Sequence, residues 1–146
     1  MNVLPQISNA EWYILKVLWE KGLCSIKQIT AELQSEKHWN ANMVRALIVR
    51  LMDKGVVAAN THHRPYYYYP TIPRITYVEH SLQSFLSRVY DGSASQLLVD
   101  LLTFQLCSLE EIKNIVEEYS HDRATKDDTD NLDSHLLYVR IVRPEN

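Results

Sequence analysis

The chain has 146 residues, 46% of them hydrophobic and 23% charged, which is typical of one modest globular core with an appendage. It has no apolar run of about 18 residues and no basic-then-apolar leader, so we expect neither membrane insertion nor secretion but a cytoplasmic protein. The net charge is −3, yet residues 1–78 carry +4 and residues 79–146 carry −7, which predicts a polyanion-facing N-terminal half, the alternative being two differently charged solvated surfaces.

Two short helices are predicted first. Ser8 or Asn9 caps the first helix, and Gly22 ends it in the usual C-terminal manner. Ser25 caps a second helix over about residues 26–34. In both segments apolar residues recur at spacings of three and four, which predicts one buried face for each helix.

The third predicted helix is the most informative element of the chain. Asn40 is a good cap for it, and Gly55 stops it. Its inward stripe consists of Val44, Leu47, Ile48 and Leu51. Its opposite face consists of Asn42, Met43, Arg45, Ala46, Val49 and Arg50. A solvated helix face normally mixes both signs of charge, whereas this face carries two arginines and no acid.

A hairpin is predicted after the third helix. Residues 56–59 form a short apolar strand, residues 60–65 a polar turn that contains proline, and residues 66–69 a returning strand of four tyrosines. Enrichment in β-branched and aromatic residues on both sides of a polar turn is typical of a hairpin. The turn tip carries a basic and hydrogen-bonding set, Thr61, His62, His63 and Arg64.

Three helices followed by a strand pair predict a mainly α fold with an N-terminal winged helix-turn-helix, whose third helix enters the major groove of DNA. Asn42 fits an adenine edge and Arg45 a guanine edge, while Met43 and Ala46 suit thymine methyl groups. Arg50 is placed to contact a phosphate, and the wing tip to contact the backbone or a minor groove. The alternative for each residue is an exposed position without a partner. The predicted DNA-binding residues are Asn40, Asn42, Met43, Arg45, Ala46, Arg50, His62, His63 and Arg64.

Three more helices are predicted in the C-terminal half, the last starting at a capping-box pattern, Ser108 to Glu111. They carry more apolar face than a small bundle covers, which predicts a dimerisation segment. The predicted dimerisation residues are Phe85, Leu86, Leu97, Leu98, Leu101, Leu102, Ile112 and Ile115. The predicted domains are 1–72 (DNA-binding), 73–120 (dimerisation) and 121–146, a flexible acidic tail with an apolar end at 136–142.

Catalytic and metal-binding functions have weaker support in the sequence. Cys24 or Cys107 with a histidine would make a nucleophile pair, but small buried thiols are the commoner use of isolated cysteines. His62, His63 and His80 lack convergent carboxylate or thiolate partners for a metal. We therefore expect no enzyme, no metal and no cofactor. A protein-interaction module is the other alternative, and the acid-free face over residues 40–50 argues against it.

Longer segments of the chain resemble a known family. These are ISNAEWYILKVLWEKG, WNANMVRALIVRLMDKGVV and RPYYYYP, followed by SFLSRVYDGSASQLLVDLL and SLEEIKNIVEE, which together cover roughly residues 5–120. The combination resembles the penicillinase and methicillin-resistance repressors, a family that includes the copper-transport repressors of Gram-positive bacteria.

The resemblance implies a homodimer that binds a palindromic operator in double-stranded DNA and blocks transcription, here of genes of the β-lactam-resistance or a related type. The base-reading positions of the family fall on Asn42, Met43 and Ala46, the phosphate contact on Arg50 and the wing arginine on Arg64. The better-known members carry Lys and Thr at base-reading positions. We therefore expect this chain to prefer different bases.

The resemblance also bears on release of the repressor from DNA. In the β-lactam branch a membrane sensor protease triggers cleavage of an Asn-Phe bond, and the matching bond here is Asp100–Leu101, which agrees in location but not in residue type. In the copper branch a C-terminal pair of Cys-x-Cys motifs binds metal. This chain has no such motif, so copper sensing through thiolates is not expected, although a copper-homeostasis-type repressor without the motif stays an alternative.

Overall fold

The elements of the fold follow the predicted order. A computed structural model describes residues 3–124, which form six helices and one two-stranded antiparallel sheet. They are α1 (Asn9–Lys21), α2 (Ile26–Lys37), α3 (Ala41–Asp53), β1 (Val57–Asn60), β2 (Tyr67–Pro70), α4 (Arg74–Tyr90), α5 (Ala94–Thr103) and α6 (Leu109–Ala124). The predicted mainly α class, a winged helix-turn-helix followed by three helices, is confirmed.

The first three helices begin at side-chain caps that the sequence encodes locally. In α1 the Ser8 Oγ accepts a hydrogen bond from the Glu11 amide at 3.2 Å, and the Glu11 carboxylate accepts one from the Ser8 amide at 3.4 Å. Ser25 and Gln28 form the same reciprocal box on α2, at 3.2 and 2.9 Å. Asn40 caps α3. Each cap satisfies amides that a helix start otherwise leaves without a partner.

One hydrophobic core supports the first three helices and the hairpin. Its largest fully buried side chains are Ile14, Leu15, Leu18, Ile29, Val44, Ile48, Leu51 and Val56. Burying such a side chain stabilises the fold by roughly 1.5–3 kcal/mol. Trp19 anchors the segment after the wing, because its indole N–H donates to the Ile72 carbonyl at 2.9 Å. The core therefore supports α3 from its buried side.

The hairpin is attached to the turn between α1 and α2. β1 pairs with β2 so that Val57 faces Pro70 and Asn60 faces Tyr67. On the other side of β2, Cys24 and Tyr68 exchange two backbone hydrogen bonds, at 3.0 and 2.8 Å. Both strands begin one residue later than the predicted ranges, 56–59 and 66–69. The wing is thus joined to the start of α2 through its backbone.

The described residues divide into two compact units, and the division falls inside α4, between Ser81 and Leu82. Tyr77, near the start of α4, is buried in the core of the first unit, where its hydroxyl donates to the Pro5 carbonyl at 3.3 Å. Burial raises the pKa of Tyr77. The domain ranges 1–72, 73–120 and 121–146 stay predictions.

The second unit is built from helices whose apolar side chains remain accessible. Within residues 82–123 every side chain is exposed or half-buried. α5 ends at Thr103, and Gln105 takes a left-handed conformation (φ 57°), so Leu106 lies outside the helix. α6 continues to Ala124, four residues past the predicted end of the helical segment. The remaining tail, including residues 136–142, lies outside the described residues.

Candidate nucleic-acid interface

The predicted reading residues of α3 lie on one exposed face. Asn42, Met43, Arg45, Ala46 and Arg50 are all exposed, while the inward stripe is buried in the core. The first turn of α3 carries no acid, so the positive end of the helix dipole is not neutralised there. The face therefore offers hydrogen-bond donors, two cations and small apolar groups to a polyanion.

Asn42 and Arg45 form a pair on this face. The Arg45 Nη1 donates to the Asn42 Oδ1 at 3.0 Å. A guanidinium has donors only, so the amide must turn its oxygen toward Arg45 and leave its NH2 group for another partner. A free NH2 group fits an acceptor on a base edge. The two residues, predicted to read bases separately, act as one unit in the structure.

Asn40 has a structural task at the start of α3. Its Oδ1 accepts a hydrogen bond from the Met43 amide at 3.0 Å, although the side chain as a whole is exposed. The cap orients the first turn of the helix, whose free amides point toward an approaching ligand. Because the Oδ1 serves the cap, a DNA contact of Asn40 would use the amide nitrogen of its side chain. This contact stays a prediction.

The wing tip is exposed from Thr61 to Arg64. The His62 amide donates to the Asn60 side chain at 3.2 Å, which shapes the turn. The Arg64 guanidinium lies over the Tyr66 ring, 5.4 Å from its centroid. Within residues 3–124 no group of three His, Cys, Asp or Glu side chains is arranged to hold a metal ion.

The wing and α3 meet at a groove that the sequence interpretation did not include. Its volume is about 380 Å³, and it is lined by Ser25, Ile26, Lys27, Arg45, Arg64, Pro65, Tyr66 and Tyr68. The groove brings Arg64 of the wing beside Arg45 of α3 and adds Lys27 from α2. The missed signal was the position of Lys27, two residues after the cap Ser25, on the helix that crosses the DNA backbone in helix-turn-helix proteins.

A second group of aromatic and basic side chains precedes α3 and was also missed. The Lys37 ammonium lies 4.0 Å from the Tyr13 ring centroid, and Lys16 lies 5.6 Å from it. Trp39 packs edge-on against Tyr13 at 6.0 Å. A hydrogen bond from Lys37, together with its charge, lowers the pKa of Tyr13. This group adds positive charge beside the Asn40 cap.

The two cysteines do not form an activated site. Cys24 is buried and Cys107 is half-buried, and both are free thiols. Desolvation raises the pKa of each thiol, whereas a reactive cysteine needs a lowered pKa.

No helix in the described part of the chain combines the length and apolarity that crossing a membrane requires.

These features define a winged-helix DNA-binding transcription regulator: a three-helix core, a hairpin wing, and an acid-free exposed face on the third helix. The chain belongs to the Penicillinase repressor family, which it matches over residues 7–121. It is 30% identical to the penicillinase repressor of Bacillus licheniformis over 124 residues, covering 83% of this chain and 97% of that protein. The family consists of transcriptional repressors and not of enzymes.

A further relative and two solved structures are also similar to this chain. The methicillin resistance regulatory protein MecI of Staphylococcus aureus (strain N315) is 28% identical over 120 residues, covering 80% of this chain and 98% of MecI. Two solution structures, the DNA-binding domain of the repressor BlaI and monomeric Bacillus licheniformis BlaI with the blaP half-operator, give TM-scores of 0.45. Each is 28% identical and covers 51% of this chain and 90% of the solved chain.

Asn42→Ala is expected to relax discrimination at one base position of the DNA site while leaving the other positions unchanged. One lost side-chain contact to a base edge is worth about 1–3 kcal/mol of discrimination. The measurement is binding to a set of duplexes that differ at single base pairs. Asn114→Ala, an exposed asparagine on α6, serves as the control. A uniform loss of affinity across all duplexes would contradict the assignment of Asn42 to base reading.

Proposed function

We propose that the chain is a homodimeric repressor that places α3 in the major groove of a palindromic operator and so blocks transcription. The observation that carries the proposal is the exposed, acid-free face of α3, braced from behind by the buried core. The base-reading residues are Asn42, Met43 and Ala46. Arg50 contacts a phosphate, and the wing residues His62, His63 and Arg64 contact the backbone or a minor groove.

The second unit supports the dimeric part of the proposal. Among the dimerisation residues, Phe85, Leu98, Leu102 and Ile115 are exposed, while Leu86, Leu97, Leu101 and Ile112 are half-buried. Exposed apolar side chains on neighbouring helices of the chain mark an interaction surface. A second copy of the same helices is the partner that two-fold operator symmetry requires.

The regulated genes are proposed from the relatives. The similar proteins of known name are repressors of penicillinase and regulators of methicillin resistance. Control of β-lactam-resistance-type or related genes is the corresponding function here, in the cytoplasm. The copper-homeostasis alternative would need a metal site other than a Cys-x-Cys pair, because the only cysteines are Cys24 and Cys107.

Release from DNA by proteolysis within α5 is the last part of the proposal. The bond between Asp100 and Leu101 lies within α5, and Asp100 accepts a hydrogen bond from the Gln96 side chain at 3.0 Å. Desolvation and a hydrogen bond to Asp100 raise the pKa of Tyr90. A helical, internally bonded segment must open locally before a protease cleaves it. Cleavage triggered by an upstream membrane sensor protease would therefore require an opened α5.

The test of the proposed function is selection of bound duplexes from a random library by the purified chain. A palindrome with two half-sites about one helical turn or a multiple of it apart is the expected result. If the protein enriches no sequence and shifts no DNA from its own promoter region at low ionic strength, the proposal is wrong, and the protein-interaction alternative takes its place.

Arg50→Ala is expected to weaken binding to all duplexes about equally and to lower the salt slope by roughly one unit per half-site. The reason is that a phosphate contact releases condensed counterions but reads no base. The measurement is the dissociation constant at several salt concentrations on selected and scrambled duplexes. If the salt dependence of the dissociation constant keeps its slope, Arg50 does not contact a phosphate.

A further inference from the structure

Three cations from three separate elements surround the groove between the wing, α2 and α3. Lys27 comes from the first turn of α2, Arg45 from the exposed face of α3, and Arg64 from the wing. None of the eight lining residues is acidic, so no side chain of the lining neutralises these charges. We infer that this groove binds one phosphate of the DNA backbone in each half-site, with Lys27 as its main contact.

The backbone that carries Lys27 and the side chains of Arg45 and Arg64 are held by neighbouring residues. The backbone bridge between Cys24 and Tyr68 joins the wing to the start of α2, so Lys27 and the wing keep their spacing. The Tyr66 ring lies beneath the Arg64 guanidinium. Arg45 is held by its hydrogen bond to Asn42. A site whose donors are preorganised loses less side-chain entropy when an anion binds.

The DNA backbone suits this site better than a free anion does. Lys27 and Arg64 are exposed, and exposed charges attract a small ion only weakly in water. A backbone phosphate is different, because α3 in the groove of the same duplex brings it to the cations at high effective concentration. The groove, about 380 Å³ and open to solvent, also leaves room for the sugars beside the phosphate.

Arg45 links phosphate binding in the groove to the choice of DNA sequence. The same guanidinium lines the phosphate groove and holds the Asn42 amide oxygen. A phosphate in the groove therefore fixes Arg45, and Arg45 fixes which end of the Asn42 amide faces the bases. Arg45, predicted from the sequence to read guanine, is in this inference a positioning residue that links backbone binding to the base contact of Asn42.

The inference rests on the proposed function and is tested on the palindromic duplex that the wild-type chain selects. Single phosphates of that duplex are replaced, one position at a time, by neutral methylphosphonates. The variants are Lys27→Met, Arg64→Met and the control Lys21→Met, which removes an exposed lysine that is paired with Glu32. Tryptophan fluorescence of each variant checks that the first unit is folded.

In each half-site, a methylphosphonate at the linkage bound in the groove is expected to weaken DNA binding by the wild type about five- to tenfold, as loss of a charge-assisted contact does. That linkage should have little further effect on Lys27→Met and a reduced effect on Arg64→Met, whereas Lys21→Met should respond like the wild type. Lys27→Met should also lower the salt slope by about one unit per half-site. Additive losses at every linkage, with an unchanged salt slope, would overturn the inference.

Inorganic phosphate at constant ionic strength is the second probe. It is expected to leave DNA binding by the wild type unchanged. A phosphate-dependent loss in the wild type that is absent from Lys27→Met would show that free phosphate competes with the DNA backbone for the groove, and would overturn the inferred preference for DNA over a free anion. Failure of the proposed function is a distinct result, because then the wild type selects no duplex at all.

Discussion

Lys54→Met is expected to lower the free energy of unfolding of the first unit by about 3 kcal/mol, the largest loss of stability that we expect from one surface-reaching side chain. Lys54 Nζ lies 2.6 Å from the Glu11 carboxylate and donates to the Gln6 carbonyl at 2.7 Å. The Glu11 side chain is only 3% exposed. Without the ammonium, a charged carboxylate remains buried and unpaired, which is far more costly than losing the pair itself.

The two partners of this ion pair are expected to differ in their effects. Glu11→Gln should cost less than Lys54→Met, because the Lys54 side chain is 31% exposed and can turn to water. A glutamine at position 11 also keeps the acceptor that the capping box with Ser8 needs. The double variant should recover part of the loss, since it leaves no buried charge.

Urea unfolding followed by tryptophan fluorescence, at one fixed protein concentration, measures these differences. All three tryptophans, Trp12, Trp19 and Trp39, lie in the first unit, so the signal reports on it alone. Lys21→Met is the matched control, because it breaks an exposed pair with Glu32, 3.5 Å apart, whose loss costs within about 1 kcal/mol. Equal midpoints for Lys54→Met and Lys21→Met would show that the buried pair contributes no more than an exposed one.

The parts of the fold that the sequence predicted depend on neighbours close in the chain. The caps at Ser8, Ser25 and Asn40 act three residues ahead, and the face of α3 follows from the 3.6-residue period of a helix. The strands begin one residue later than predicted, and β2 is also paired through the bridge between Cys24 and Tyr68. A pairing across 44 positions leaves no local pattern.

The same reasoning explains what was missed at the candidate interface. Lys27, Arg45 and Arg64 come together only after the wing has folded back onto α2, so no spacing in the sequence marks the groove. The Glu11–Lys54 pair is likewise formed by residues 43 positions apart. The predicted face of α3 identified the region of the DNA contact, whereas the charges flanking it required the tertiary structure.

The predicted dimerisation residues of α5 differ in how deeply the structure buries them. Helical periodicity selected the leucines of α5 as a group, but Leu97 and Leu101 are half-buried within their own unit. Leu98 and Leu102 are exposed, at 49% and 36% of their surface. A variant at an exposed position perturbs the proposed partner contact with less damage to the unit itself.

Leu102→Asp is therefore expected to convert the proposed dimer into monomers and to lower affinity for the whole palindrome about 10²–10⁴-fold. An aspartate at the interface would have to lose its hydration without gaining a partner. Two linked reading heads bind a palindrome far better than one, because the second contact is made at high effective concentration. Sedimentation of the purified variant and binding to whole-site and half-site duplexes provide the measurements.

Half-site binding separates loss of the dimer from loss of the fold. Leu102→Asp should bind a half-site duplex as the wild-type protomer does, since the reading face of α3 and its core belong to the first unit. Asn114→Asp, which adds the same charge at an exposed polar position of α6, should stay dimeric and keep its affinity for the whole site. If Leu102→Asp sediments as a dimer with undiminished operator affinity, the contact between protomers lies on another surface.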